Sequence, residues 1–398
     1  MRWDNLTIDA EERTRLPGYR DAAVVRHFDA PEALDIRFYE VRAKSALNRV
    51  PERSRMPFRW TINPYRGCSH ACVYCFARPT HTYLDMNAGR DFEREIVVKV
   101  NAPEVLRTEL ARPSWKGEHI AMGTNTDPYQ WVEGRYKLMR GIWEALRDFA
   151  NPCSVLTKSP LLLRDLDLMR EIAAVTDIAA NLSIPTMDEK PWRASEPHTP
   201  SPRARMEAVA ELNRAGIPTG ILVAPLMPGV NDDPRQVERI LEAAADAGAT
   251  GVSGIALHLR GEVRGIFMEW LRSYRPDLVE RYEKLYARGA YVSRDEQDRL
   301  RRLLGSTRAR SGREPPRRSP ADSRGVRRAV REPPAYRPDA TGHASRRPGR
   351  TGEAWPPSAP ERSTAVGQSE RADRSQSPER PADPEGPRRP AGRQQALF

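Results

Sequence analysis

Between residues 58 and 273, short apolar runs rich in β-forming side chains alternate with longer stretches in which apolar residues recur at three- and four-residue intervals. That alternation is the pattern of strand–helix units around a parallel sheet. The runs read as strands at residues 59–65, 119–124, 153–158, 177–184, 218–226 and 251–259, with helices at about 102–112, 136–149, 161–174, 201–215 and 234–247. The stretch SPRARMEAVAELNRAG carries both end signals, Pro202 near the start and Gly216 just past the end. Six units fall short of a closed eight-stranded barrel, so the expected fold is α/β, a partial (β/α)6 TIM-type barrel. Residues 58–304 form this barrel, with a helical segment at 268–289 packing back on it. Residues 1–57 are an N-terminal extension and residues 305–398 a tail.

Charge changes the picture only in the tail. From Gly305 to Phe398 there are 20 arginines, no lysine and 11 acidic residues, a net +9 that leaves +2 of the chain's +11 for residues 1–304. The tail is rich in Pro, Arg, Ser, Gly and Ala and has almost no aliphatic side chains to bury, so it is expected to be disordered. The N-terminus MRWDNLTIDAEERTR has no apolar stretch of a secretory signal, and runs such as GILVAPLM are too short to span a bilayer. A soluble, cytoplasmic protein with no membrane partner is expected.

In parallel α/β folds ligands sit beyond the C-terminal ends of the strands. Here those ends carry most of the irregular polar clusters: the cysteine loop, GTNTDPYQ, TKSP, SIPTMDEK, APLMPGVND and LHLRGEVRG. Three of the four cysteines, Cys68, Cys72 and Cys75, fall within YRGCSHACVYCFARPTH in the spacing C-x3-C-x2-C. A disulfide framework does not fit so few cysteines in so long a chain, and clustered thiolates are soft ligands for zinc or iron–sulfur clusters. Two readings stand at this point: a Cys3His zinc site completed by His70 or His81, or a [4Fe–4S] cluster held by three cysteines with one iron open. Cys153, at the start of the third strand, reads as a small buried apolar residue.

The cysteine spacing, with Tyr74 just before the last cysteine and the loop after the first of six strands, resembles the radical S-adenosylmethionine (SAM) enzymes. The resemblance covers residues 58–273. It implies a [4Fe–4S] cluster on Cys68, Cys72 and Cys75 and SAM bound at the open iron through its methionine amino and carboxylate groups. It also implies a reductant such as flavodoxin or ferredoxin, and a 5′-deoxyadenosyl radical that abstracts hydrogen from a substrate. The stretches RMPFRWTINPYRGCSHACVYCFARPTH, GTNTDPYQ, EPHTPSPRAR and GVSGIALHLRG are similar to the spore photoproduct lyase-like group, in particular to an actinobacterial-type branch.

Carried over residue by residue, this resemblance sets the Tyr74 backbone against the adenine. Thr124, Asn125 and Asp127 stand where the superfamily has a glycine-rich segment that receives the methionine amino group. Lys158, Ser159 and Ser183 stand where a lysine and a serine of the lyase-like group contact the methionine carboxylate and the ribose. The lyase's hydrogen-donating cysteine, on the loop after strand two, has no counterpart, since Thr124, Asn125 and Thr126 occupy that region. Tyr129 is the candidate catalytic hydrogen donor in its place. Arg164, His258 and Arg260 are further candidates for the barrel mouth, while His70 and His81 flank the cluster.

The chain finishes GRQQALF, in which Gln394, Leu397 and Phe398 resemble the short peptide by which bacterial proteins bind the sliding clamp. A flexible tether offering a glutamine and two apolar anchors suits a preformed pocket. The lyase likeness, the basic tail and this peptide together favour DNA as substrate. The alternatives are a radical maturase acting on a protein or metabolite, and a non-catalytic nucleic-acid binding protein with structural zinc or a redox-sensing cluster.

Overall fold

The computed structural model describes residues 8–28, 35–52, 54 and 56–308. It begins with an antiparallel meander of β1 (Ile8–Thr14), β2 (Ala23–Phe28) and β3 (Arg37–Val41). β4 (Leu47–Arg49) then pairs antiparallel with β5 (Trp60–Ile62). The cysteine segment follows β6 (Tyr65–Arg66) and is succeeded by α1 (Arg90–Arg94) and β7 (Glu95–Lys99). β7 runs parallel to β3 and antiparallel to β6, giving a five-stranded sheet in the order β1-β2-β3-β7-β6. The segment expected as a plain extension therefore supplies three of the five strands of a sheet that brackets the cysteines.

The barrel follows as α2 (Ala102–Leu110), β8 (Ile120–Met122), α3 (Glu133–Tyr136), α4 (Leu138–Asp148), β9 (Cys153–Thr157), α5 (Leu166–Val175) and β10 (Ile178–Ser183). It continues through α6 (Glu189–Ser195), α7 (Pro202–Arg214), β11 (Thr219–Leu226), α8 (Pro234–Asp246) and β12 (Val252–Ala256). The sheet order is β12-β11-β10-β9-β8-β5-β4, with β5, β8, β9, β10, β11 and β12 mutually parallel. These are the six strands read from the sequence, and the sheet remains open between its edges β12 and β4. α9 (Val263–Tyr274), α10 (Val279–Leu285) and α11 (Arg294–Arg308) complete the described chain. α11 runs four residues into the segment expected as tail. The rest of that tail, with Gln394, Leu397 and Phe398, lies outside the described residues.

The strands are apolar because helices cover the sheet. Ile120, Met122, Val155, Ala180, Leu182, Ile221 and Val223 are all buried and pack with Met139, Ile142, Trp143 and Leu146 of α4. The helices stop and start where their ends are satisfied. Ser201 accepts from the Ala204 N–H ahead of Pro202, and Asp233 accepts from the Arg235 and Gln236 N–H groups ahead of Pro234. Among the described residues no helix is long and apolar enough to cross a membrane.

Gly123, which ends β8, fixes how closely the following loop approaches β9. Its φ is +83°, and a Cβ there would lie 1.9 Å from the Leu156 carbonyl oxygen. Gly216, past the end of α7, has a similar φ of +84° but open space around it. Gly216→Ala is expected to cost about 1 kcal/mol from backbone conformation alone, and Gly123→Ala several-fold more. Urea-unfolding midpoints of the two variants check this, and equal shifts would contradict it.

Candidate functional site

The cysteine loop is a series of tight turns held by backbone hydrogen bonds, by Arg78 just past its last cysteine, and by side chains from the loop after β8. The Cys68 N–H donates to Phe92 O (2.9 Å), the Cys75 N–H to Cys72 O (3.2 Å) and the Val73 N–H to Ser195 O (3.1 Å). Arg78, 1% exposed, lies beneath these turns. Its guanidinium donates to the carbonyls of Cys72 (2.9 and 3.0 Å), Ala71 (3.3 Å), Ala88 (3.2 Å) and Gly89 (3.0 Å) and pairs with Glu93. From the loop after β8, Thr126 donates to Gly67 O (2.6 Å), and Gln130 accepts from the Ser69 N–H (3.0 Å).

Burial is the main influence on all three thiols. It pushes the Cys72 thiol up to about 12, against the pull of Lys158, with Glu196 and Cys75 adding to the rise. Cys68 is raised by burial and by Asp127, Cys72 and Cys75, and Cys75 is raised by burial despite Arg78. Three sheltered thiols that oppose one another's ionisation suit a ligand bringing positive charge of its own, because coordination displaces the thiol proton. Among the described residues no three His, Cys, Asp or Glu side chains are gathered tightly enough for a single metal ion. Nor does an imidazole complete a tetrahedron. His81 donates from Nε2 to Glu95 O (2.8 Å) and packs edge-on against Phe92, and His70 Nδ1 lies 3.4 Å from Asp127 Oδ2. The donor set fits a cluster that spreads three thiolates over separate irons better than it fits zinc.

Beside Cys72, the ends of β9 and β10 meet the turn after α6 in a buried charge network. Lys158 Nζ donates to Ser183 Oγ (2.7 Å), pairs with Glu196 Oε1 (2.8 Å) and stands 5.6 Å from the centre of the Tyr74 ring. The Tyr74 hydroxyl donates to the same carboxylate oxygen. Arg205, fully buried on α7, reaches Glu196 Oε2 (2.6 Å), Ser183 O (2.9 Å) and Pro200 O (2.9 Å). Burial would raise the Glu196 carboxyl, but Arg205 and Lys158, with hydrogen bonds from Lys158 and Tyr74, hold it down to about 2. Tyr74, Lys158 and Ser183, picked separately from the sequence, are thus one constellation. Glu196 and Arg205 join it unforeseen, their only trace in the sequence being the EPHTPSPRAR stretch.

The remaining predicted residues divide. Thr124 Oγ1 and the Asn125 N–H both bond Asn63 Oδ1 (3.3 and 3.1 Å), while Asn125 Oδ1 is a buried acceptor with no partner, as a bound ammonium group would require. Asp127 is engaged by its own chain: Oδ1 accepts from Thr157 Oγ1 (2.5 Å) and the Tyr129 N–H (2.9 Å), Oδ2 from the Lys158 N–H (2.7 Å). Its carboxyl sits below the usual range because His70 and these bonds outweigh burial. Ser159 Oγ caps the turn at Pro160–Asp165 by accepting from the Leu161 N–H (3.3 Å). Tyr129, expected at the mouth, is instead fully buried in the main core, where its hydroxyl donates to Asp165 (2.9 Å) and accepts from Trp143 Nε1 (2.6 Å). Arg164 lies beside it, paired with Glu133 and Asp165 (2.6 and 2.7 Å). Cys153 is buried in the same core. His258 and Arg260 follow β12, the former between Phe76 and Tyr291.

An open parallel α/β barrel with three thiols and a buried cation network at its strand ends defines a cofactor-dependent enzyme. Residues 62–242 match the family model of the radical SAM superfamily. An uncharacterized protein of Mycobacterium tuberculosis is 49% identical over 76% of this chain and 90% of its own length. A radical SAM Nalpha-GlyT isomerase of Pseudomonas phage M6 is 24% identical over 68% and 52% of the two chains. The solved structure of spore photoproduct lyase complexed with dinucleoside spore photoproduct superposes with a TM-score of 0.52 at 15% identity, covering 70% of this chain and 80% of that one. The chain belongs to the radical SAM superfamily and is an enzyme whose cofactors are a [4Fe–4S] cluster and SAM.

Glu196→Gln should leave Lys158 and Arg205 without their shared counter-ion and destabilise the fold by about 3–5 kcal/mol at pH 7. Because folding lowers the Glu196 pKa from 4.5 to about 2, its contribution is present above pH 4.5 and lost as pH falls from there towards 2. Urea midpoints between pH 2 and 7 are expected to fall more steeply at the acid end for the wild type than for the variant.

Proposed function

We propose that Cys68, Cys72 and Cys75 hold the cluster, that Asn125 Oδ1 accepts from the methionine amino group of SAM, and that Lys158 and Ser183 meet its carboxylate. The observation that carries this reading is the Lys158–Glu196–Arg205 network at the C-terminal strand ends, near enough to Cys72 for its charges to act on that thiol. Bound there and given one electron by the reduced cluster, SAM would supply methionine and a 5′-deoxyadenosyl radical able to abstract hydrogen from a substrate. Within this arrangement Glu196 holds Lys158 in place beside Ser183, Tyr74 closes the site from the loop side, and the surrounding apolar residues exclude water. Tyr129 is left out of this proposal as hydrogen donor, since Trp143 and Asp165 hold its hydroxyl inside the core.

DNA is the proposed substrate. Its support is the fold shared with a lyase solved with a dinucleoside photoproduct, the arginine-rich tail, and the terminal Gln394, Leu397 and Phe398 as a sliding-clamp peptide. A cytoplasmic setting, with flavodoxin or ferredoxin as reductant, completes the proposal. Anaerobically reconstituted, dithionite-reduced protein should form 5′-deoxyadenosine, Cys72→Ala should form none, and ultraviolet-treated DNA should stimulate the wild type. A wild type that carries a full cluster and binds SAM yet forms no more product than the variant, with DNA present, would sink the proposal. Lys158→Ala should weaken SAM binding about 10- to 150-fold, the loss of a charge-assisted hydrogen bond, while the brown cluster is retained. Clamp capture should disappear when the last five residues are removed; equal capture by both chains would exclude the peptide.

A further inference from the structure

Directly after Cys75, the chain places Phe76 at the surface, 43% exposed. Its ring faces that of His258 at a centroid distance of 5.9 Å, and His258 in turn faces Tyr291, 46% exposed, at 5.7 Å. Arg260 lays its guanidinium over the Tyr291 ring, 5.1 Å from the centroid. Burial and Arg260 push the His258 pKa below that of a free imidazole. The three rings come from separate parts of the chain: the cysteine loop, the segment after β12, and the segment before α11. The rings are tilted by 54° and 44° rather than stacked flat.

Exposed aromatic side chains scattered singly need no explanation. A run of three that begins at a cluster cysteine and ends under an arginine is a different matter. Aromatic faces with a neighbouring cation are the means by which proteins hold unpaired bases, the rings stacking and the cation meeting the backbone phosphate. The groove on the far side of Tyr291 has a mixed border, with Arg281, Lys284, Arg288 and Arg294 set among Asp277, Glu280 and Asp295, so Arg260 is the cation that belongs to the ladder itself.

We infer that Phe76, His258, Tyr291 and Arg260 form a stacking platform for unpaired bases of single-stranded DNA, delivering a nucleotide to the cluster end of the ladder. The inference rests on DNA being the substrate. Phe76 and Tyr291 take the base faces, His258 spaces them, and Arg260 meets phosphate. Single-stranded rather than duplex DNA is favoured because paired bases present no face to a ring.

The test uses the full chain and a short single-stranded oligodeoxynucleotide carrying 2-aminopurine, with heparin added to occupy the tail arginines. The wild type is expected to quench 2-aminopurine fluorescence on binding. Phe76→Leu and Tyr291→Leu should each weaken binding about 5- to 100-fold, and Phe76→Tyr and Tyr291→Phe should restore it. Matching circular dichroism and melting temperature identify the folded variants. Should a leucine variant not fold, Phe76→Tyr and an Arg260→Gln variant still report, through retained quenching and a reduced salt dependence respectively. Wild-type quenching that persists in both leucine variants overturns the platform, as does competition by an aromatic peptide but not by unlabelled oligonucleotide. Quenching is read without SAM or reductant, which separates this outcome from failure of the radical chemistry. If DNA stimulates 5′-deoxyadenosine formation equally in the leucine variants, DNA remains the substrate and the platform is wrong.

Discussion

An irregular loop that carries three thiols into a buried site brings many backbone carbonyls with it, and each needs a donor once water is gone. Arg78 meets that demand. One planar fork with five N–H groups reaches four carbonyls on two stretches of chain, a geometry that a lysine's single ammonium could not reproduce. Thr126 and Gln130 donate likewise to the Gly67 carbonyl, and Gln130 Oε1 accepts from the Ser69 N–H. The positions of the thiols are therefore set by side chains that bond the backbone around them.

The second constraint is charge. Glu196 is enclosed with Lys158 and Arg205 on its two oxygens, so a full negative charge is kept where burial alone would neutralise it. Such networks are favourable only when every member is satisfied. The Tyr74 hydroxyl, Ser183 and Thr199 complete this one. Because Tyr74 belongs to the cysteine loop and Lys158 and Ser183 to strand ends, the network also ties the loop to the barrel.

Much of this was legible in the sequence, for physical reasons that differ from element to element. The six parallel strands stand out because helix cover makes them apolar along their length, and the helices stand out by period and by end residues such as Pro202 and Gly216. The cysteines stand out by spacing. The N-terminal sheet does not, because β2 mixes Val24 and Val25 with Arg26 and His27, and β7 finds its parallel partner β3 more than fifty residues back. Glu196 and Arg205 are separated by a turn and a helix start, and no periodicity announces that they face each other. The direction of Tyr129 depended on one turn: its N–H bonds the Asp127 carboxylate, which sends the ring inward. Ser159 uses its hydroxyl to cap the next segment, which its sequence position did not signal.

The partnership of β3 with β7 has a consequence for the order in which the protein is made. β1, β2 and β3 leave the ribosome well before β7, and β7 emerges only after all three cysteines. The first sheet therefore cannot be completed until the thiols exist. Until then β3 presents an unpaired edge able to recruit another chain, and its protection arrives together with the loop that the cofactor needs.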